Sequence, residues 1–530
     1  MNHSNLTTEA TIGPDAPNEL GFSALKVTAA EGYVGDRPGL NAKTLATILH
    51  SSDWHICDAE SPARQEYLDR YFDPESAYRA ILGYVGTYRP WEILTTQVAA
   101  AFIQTLNRIE VGPISKRPVD ALVITGDVTD NGQLNELEWY LNLLDGQEVD
   151  PSGGRSKSDW VGSDSDSEWD ERYWHPESDE AGRVDLPTGH FGYPNVPGLI
   201  CAARKPFKTT GLQHPWLSVH GNHDALLQGT VAPDTELNEL ATGSRRIVGL
   251  APEQTPLDVI EAIPTIGPAR YIHTADSPTQ EVTPDAARRL SSPGKFAELH
   301  LDSKSKPIGH GFTSKNVKDG TAYYSYEVGE LILVALDTVN HHGGFEGSIS
   351  QSQLQWLEST LVKFSDRHVV IASHHPSPAI INDYCPNGAE RRVLGPEILA
   401  KLMSHKNVLV WINGHEHENQ IILNVGLEGR VLPEINTASI IDWPQQARIL
   451  EFAMDGETAY ITSTVINHDG LVHPDLERLD LADMAGLSRI LAFNDYQRRD
   501  PLTSIHRKEG SIADRNFVLR LPNLLYSADQ

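Results

Sequence analysis

The chain of 530 residues is 39% hydrophobic and 22% charged, with 43 basic against 72 acidic side chains and a formal net charge of −29. That excess of acid argues against long nucleic acids, whose phosphates need Lys and Arg to displace counterions, and against anionic membrane surfaces. The cysteines Cys57, Cys201 and Cys385 are odd in number, far apart and outside any C-x-x-C pair, so neither a disulfide framework nor a cysteine zinc site is expected.

The length implies several domains or one large domain with insertions. The first residues, "MNHSNLTTEATIGPDAPNEL", lack the basic start and apolar core of a signal peptide, and no apolar run is long enough to span a bilayer. Cytoplasm is therefore the expected location. Residues 1–43 are polar and read as an N-terminal arm. "TLATILHSSD" then reads as a buried strand and "WEILTTQVAAAFIQTLNRIE" as a helix, with Leu94, Val98, Ala101, Phe102, Leu106 and Ile109 on one face. "VDALVITGDVTD" is a second buried strand, followed by the helix "QLNELEWYLNLL". Gly, Ser and acidic residues take over near residue 145 and mark an insertion over about 145–210, read as a surface excursion. "PWLSVHGNHD" restores the pattern before a second insertion over about 225–320.

Beyond it the chain alternates strand and helix. "TAYYSYEV" and "ELILVALDTV" read as a hairpin about Gly329, then come "SQSQLQWLESTLVKF", "RHVVIASHHP", "GPEILAKLMSH" and "NVLVWINGHEHEN". The strands "RVLPEINTAS", "ARILEFAM" and "TAYITSTVI" follow, and a helix over "LADMAGLSRILAFNDYQ" packs on the core. The expected class is α/β: a layered αββα sandwich of two mixed β-sheets flanked by helices, with two long insertions. A catalytic domain over 44–445 and a C-terminal part over 446–530 are the expected divisions.

Five polar clusters each follow an apolar strand: Asp53 and His55 in "SDWH", Asp127 in "TGDV", Asn222, His223 and Asp224 in "HGNHD", His374 and His375 in "SHHP", and His415 and His417 in "NGHEH". Strand ends of layered α/β folds are where ligands bind. If the segment stays extended, Asp53 and His55 at i and i+2 share a face and grip one ion. His415 and His417 repeat the device, with Glu416 pointing away. Asp, His and Asn form a borderline-hard donor set suited to Mn, Fe, Zn or Co. Seven candidate ligands exceed one tetrahedral shell and fit two ions that share a bridging carboxylate, for which Asp127 is the natural choice.

In order and flanking, D-x-H, G-D, G-N-H-D, H and G-H-x-H resemble the calcineurin-like metallophosphoesterases. The resemblance implies one ion on Asp53, His55, Asp127 and His417, and another on Asp127, Asn222, His374 and His415. It prefers His374 to His375, which stays behind the ligands. It implies a metal-bridging hydroxide attacking phosphorus, His223 as general acid, and Asp224 orienting His223 through a ring nitrogen. Val128, Thr129 and Asp130 follow Asp127, so the metal-binding Tyr of the purple acid phosphatases is missing. The expected activity is phosphodiester hydrolysis of small phosphoesters, with the first insertion as a substrate-selecting cap. A phosphomonoesterase and a non-catalytic metal-binding interaction protein are the alternatives. The groups Asn340–His342, Tyr173–Glu177, "SDSDSEWDE" and Asp442 read as loop, packing, solvated surface and turn; Cys57 reads as a small buried residue.

Overall fold

A computed structural model describes residues 5–82, 88–154, 160–163, 165, 169–177, 182–270, 272, 274–426, 429–498 and 508–526. The arm is not loose. It forms a hairpin of β1 (Ala10–Pro17) and β2 (Ser23–Ala29). Then come β3 (Lys43–Ser51), α1 (Thr95–Asn107), β4 (Ala121–Ile124), α2 (Leu134–Asp145) and β5 (Trp216–Ser218). After the second insertion the chain runs through β6 (Tyr324–Val328), β7 (Leu331–Ala335), α3 (Gln351–Lys363), β8 (Val369–Ala372), α4 (Gly395–Ser404) and β9 (Val408–Asn413). It ends with β10 (Gln420–Val425), β11 (Val431–Asn436), β12 (Gln446–Asp455), β13 (Thr458–Asn467), α5 (Leu481–Phe493) and β14 (Phe517–Pro522).

Two six-stranded mixed sheets result, ordered β14-β13-β12-β3-β4-β5 and β6-β7-β8-β9-β11-β10. In the first, β3, β4 and β5 are parallel; in the second, β7, β8, β9 and β11 are parallel. Strands β4, β7 and β8 read as unbroken apolar runs because both of their faces are covered. Strand β7 shows how. Leu331, Leu333 and Ala335 point into the core between the sheets, where Ile48 and Val123 of the first sheet join Val370, Val410 and Ile412 of the second. Ile332 and Val334 point outward against Leu354, Leu357 and Leu361 of α3 and Ile398 and Leu402 of α4. Helices α1 and α2 cover the first sheet with Val98, Phe102, Leu137 and Leu144. The architecture is a layered α/β sandwich of two mixed sheets flanked by helices.

The first insertion departs from the surface excursion its composition suggests. Trp174, Tyr193, Val196 and Leu199 are buried in a second apolar cluster with Trp443 and with Leu487 and Leu491 of α5. Four aromatic or branched side chains among the acids suffice to anchor it. Among the described residues, no helix is long and apolar enough to cross a membrane.

Candidate metal centre

The C-terminal ends of β3, β4, β5, β8 and β9 meet along one edge of the sandwich, and each delivers one of the polar clusters. The delivery differs from strand alternation. Asp53, His55, Asp127, His415 and His417 all hold positive φ, at 54°, 45°, 50°, 72° and 53°. A non-glycine residue in that left-handed region costs about 1–3 kcal/mol and persists only where its surroundings fix it. Asp53 and His55 do converge, but through two left-handed residues outside any strand. His415 and His417 do not share an ion-sized space: His415 turns toward His374 and His417 toward Asp53 and His55. Glu416 between them is exposed. Two glycines permit the close approach. A Cβ on Gly221 would fall onto Asp127 Oδ1, and one on Gly414 onto Asp53 Oδ2 and Ser52 Oγ.

The donors form two adjoining groups. In the first, His417 Nε2 lies 3.2 Å from Asp53 Oδ1 and 3.3 Å from His55 Nε2. In the second, His374 Nε2 lies 3.1 Å from Asp127 Oδ2 and 3.3 Å from His415 Nδ1. Asp127 Oδ2 is also 3.7 Å from His55 Nε2, so a single carboxylate oxygen reaches both groups. Metal–ligand bonds of about 2.0–2.1 Å give donor–donor edges of about 3.0–3.4 Å.

The protons decide what these contacts are. His55 Nδ1 donates to Asp130 Oδ1 at 2.9 Å, and His417 Nδ1 donates to Asp442 Oδ2 at 2.7 Å. The two Nε2 atoms are left facing each other, with Asp53 Oδ1 beside that of His417. His374 Nδ1 donates to Thr125 O at 2.8 Å, which leaves its Nε2 between Asp127 Oδ2 and His415 Nδ1. Facing lone pairs repel unless a cation lies between them. Asn222 adds a buried Oδ1 with no partner among the described residues, while its Nδ2 donates to Gly229 O at 3.1 Å. The donor set fits two borderline-hard cations.

The electrostatics agree. Burial pushes the Asp127 carboxyl up, but the imidazoles of His374 and His223 outweigh it and hold Asp127 well below the usual carboxylate range. Burial acts downward on His374, yet Asp127 raises it to about 9. Asp127 is thus ionised and draws positive charge onto the imidazole beside it.

Two carboxylates that the sequence did not single out as functional steer the imidazoles. Asp130 accepts from His55 and from Arg64 Nη1 at 2.5 Å; Asp442 accepts from His417 and from Arg89 Nε at 2.7 Å, with Arg498 at 3.4 Å. Burial pushes both upward, but Arg64 outweighs it at Asp130, and Arg89 and then Arg498 outweigh it at Asp442, so both remain ionised. Asp130 follows Asp127 by three positions on the same loop, a spacing that could have flagged it. Asp442 carried no such signal and read as a turn. Such partners fix ring orientation and tautomer, and losing one costs about 10–100-fold in metal affinity. Asp442→Asn keeps the shape and should raise the Mn²⁺ concentration for half-maximal activity by about that factor; an unchanged Mn²⁺ titration would refute this role.

Asp224 is a correction. It does not touch the His223 ring. Its Oδ1 accepts from Val128 N at 2.9 Å and Thr129 N at 3.0 Å, and its Oδ2 from Gly221 N at 2.9 Å. It braces the loop that carries Asp127. His223 Nδ1 instead donates to Asp130 O at 2.6 Å, and the His223 backbone N–H donates to Asp127 Oδ1 at 2.8 Å.

Of the remaining groups, His375 spends Nδ1 on Thr338 Oγ1 at 2.7 Å and Nε2 on Phe345 O at 3.0 Å, which keeps it behind His374. Cys57 is buried against Arg64. Trp169 and His175 stack at 3.8 Å and Trp174 is a core residue, so the Tyr173–Glu177 group is local packing. Asp164 and Asp166–Glu168 of "SDSDSEWDE" lie outside the described residues.

Residues 190–419 match the family model of the calcineurin-like phosphoesterases. That stretch is similar to the calcineurin-like phosphoesterases. It contains Asn222, His223, His374, His415 and His417, while Asp53, His55 and Asp127 precede it. A manganese-dependent ADP-ribose/CDP-alcohol diphosphatase of Xenopus tropicalis is 29% identical over 110 residues, which cover 20% of this chain and 29% of that protein. The phosphoesterase likeness to that relative therefore spans less than a third of the relative's length. A crystal structure of a dimetal phosphatase from Danio rerio aligns with 80% of this chain and 99% of that one, at 14% identity and a TM-score of 0.29.

Proposed function

We propose that this chain is a binuclear metal-dependent phosphoester hydrolase, acting as a phosphodiesterase on small phosphoesters. The observation that carries the metal reading is the pair of imidazole nitrogens, His55 Nε2 and His417 Nε2, that face each other at 3.3 Å while each Nδ1 is held by a carboxylate. Asp53, His55, Asp127 and His417 would hold one ion, and Asp127, Asn222, His374 and His415 the other. The ions would supply positive charge for the phosphoryl oxygens and a water acidified to near neutral pH.

The rest of the work falls to the protein. His223 packs its ring 4.5 Å from that of His55 and keeps 19% of its side chain exposed. Its Nδ1 is fixed on Asp130 O, so Nε2 is the nitrogen available to give a proton to the leaving oxygen. Burial holds His223 below the ordinary imidazole value. A phosphoester anion beside it pulls the other way and loads the proton when substrate is present. No Tyr stands among Val128, Thr129 and Asp130 just after Asp127, and Asp130 instead holds His55, which supports a plain phosphodiesterase-like site. Asp58 and Glu66, on the segment leaving His55, pair with Arg288 and Arg246 of the second insertion, and Glu60 with Arg204 of the first. Both insertions thus bear on the chain beside the ligands, which supports a cap, and the net charge of −29 supports small esters over long polyanions.

The test is hydrolysis of bis(p-nitrophenyl) phosphate beside p-nitrophenyl phosphate with Mn²⁺, and EDTA as control. Faster diester cleavage that EDTA abolishes is the expected result. Faster monoester cleavage would replace the reading with a phosphomonoesterase. No cleavage of either would favour a metal-binding interaction protein, and rapid cleavage of long single strands would overturn the preference for small substrates.

A further inference from the structure

A second constellation lies outside the ligand set. His220, two positions before Asn222, meets Asp337 and His341 on the loop after β7. His220 Nδ1 is 3.4 Å from Asp337 Oδ1, and His341 Nε2 is 2.9 Å from Asp337 Oδ2. One donor atom from each of the three residues lies within 4.8 Å of the others. The two imidazoles are stacked at 28°, with centroids 5.6 Å apart. His220 is fully buried, Asp337 is 7% exposed, and the His341 side chain is 35% exposed, so the group is closed on one side and open to solvent on the other.

The charge on Asp337 is handled unlike that on Asp130 or Asp442. Those carboxylates have arginines at ion-pair distance. Among the described residues, Asp337 has only the two imidazoles there. A buried carboxylate needs a cation close by. A proton serves the His341 contact, but 3.4 Å is long for a charge-assisted N–H···O bond, which runs about 2.7–2.9 Å. The same 3.4 Å matches the edge between two donors on one zinc-sized ion. His220 gains nothing elsewhere, since its Nε2 is buried with no partner among the described residues. The backbone beneath the carboxylate is fixed at both ends. Asp337 N donates to Gln353 Oε1 at 2.9 Å, and Gln353 Nε2 donates to Asp337 O at 2.7 Å.

We propose that His220, Asp337 and His341 form a third cation site, distinct from the binuclear centre and selective for a borderline dication such as Zn²⁺. Two imidazole nitrogens and one carboxylate suit such an ion, and water on the His341 side completes its shell. The ion would tie the loop bearing Asn222 to the loop bearing Thr338, the residue that holds His375.

The test counts metal. Full-length wild type, His341→Ala and His342→Ala are equilibrated by dialysis against micromolar Zn²⁺ and analysed by inductively coupled plasma mass spectrometry. His342 is an exposed neighbour outside the cluster. The expected result is one equivalent fewer in His341→Ala than in wild type and His342→Ala. His341→Gln, which keeps the bulk of the side chain, repeats the measurement should the alanine variant fold poorly. Equal zinc in all variants would overturn the third site. Failure of the binuclear reading shows separately, as fewer than two equivalents left in His341→Ala.

Discussion

Asp127→Asn should lose at least about 10³-fold in kcat/KM, equivalent to about 4 kcal/mol of transition-state stabilisation, and should no longer hold two ions. The expectation rests on geometry. Asp127 Oδ2 lies 3.1 Å from His374 Nε2 and 3.7 Å from His55 Nε2, and among the described residues no other side chain reaches both donor groups as closely. Its Oδ1 is committed to the His223 backbone N–H at 2.8 Å. An asparagine in the same place must keep its oxygen on that N–H, because an amide N–H there would oppose another donor. Its NH₂ would then point at the ions. One formal charge is lost, and a donor replaces the shared acceptor. Metal analysis and hydrolysis of the diester probe measure both effects. Melting supplies a further check. A ligand that binds only the folded state stabilises it, so EDTA should lower the melting temperature of metal-loaded wild type more than that of the variant. Wild-type metal content with activity within tenfold of wild type would remove Asp127 as the bridge.

The sequence made the layered sandwich legible because its central strands, "ATILHS", "ALVI", "VVIA" and "VLVWIN", are buried on both faces and are mostly apolar. The polar residues just beyond them stand out for the same reason. How those residues are aimed was not legible. Left-handed backbone at Asp53, His55, Asp127, His415 and His417 has no signature in side-chain type, and it is imposed by contacts between loops that are distant in sequence. Asp53 and His55 converge through left-handed backbone instead of strand alternation, and His415 and His417 turn to different donor groups. Asp224 misled in a similar way. Its neighbour His223 invited a side-chain pairing, yet the carboxylate satisfies three backbone N–H groups that would otherwise be buried and unpaired. The acidic insertion hid its core because the mean composition masks Trp174, Tyr193, Val196 and Leu199.

His223→Ala should leave both ions in place and lower turnover by about 10²–10⁴-fold, the range general acid catalysis contributes. The ring gives no nitrogen to the two donor groups, since Nδ1 is held by Asp130 O at 2.6 Å. The backbone N–H that supports Asp127 survives the substitution. Removing the imidazole leaves the Asp130 carbonyl without that donor, a cost of about 1–3 kcal/mol in stability that water entering the vacated space reduces. Metal affinity should therefore change little while the chemical step suffers. The leaving group separates proton donation from mere packing. p-Nitrophenolate departs with little help, whereas an alkoxide needs a proton as the bond to phosphorus breaks. The loss in the variant should be larger for a phosphodiester with an alkyl leaving group than for bis(p-nitrophenyl) phosphate. Equal losses for both substrates would assign His223 to charge stabilisation instead, and near-full turnover with either would exclude it from the reaction.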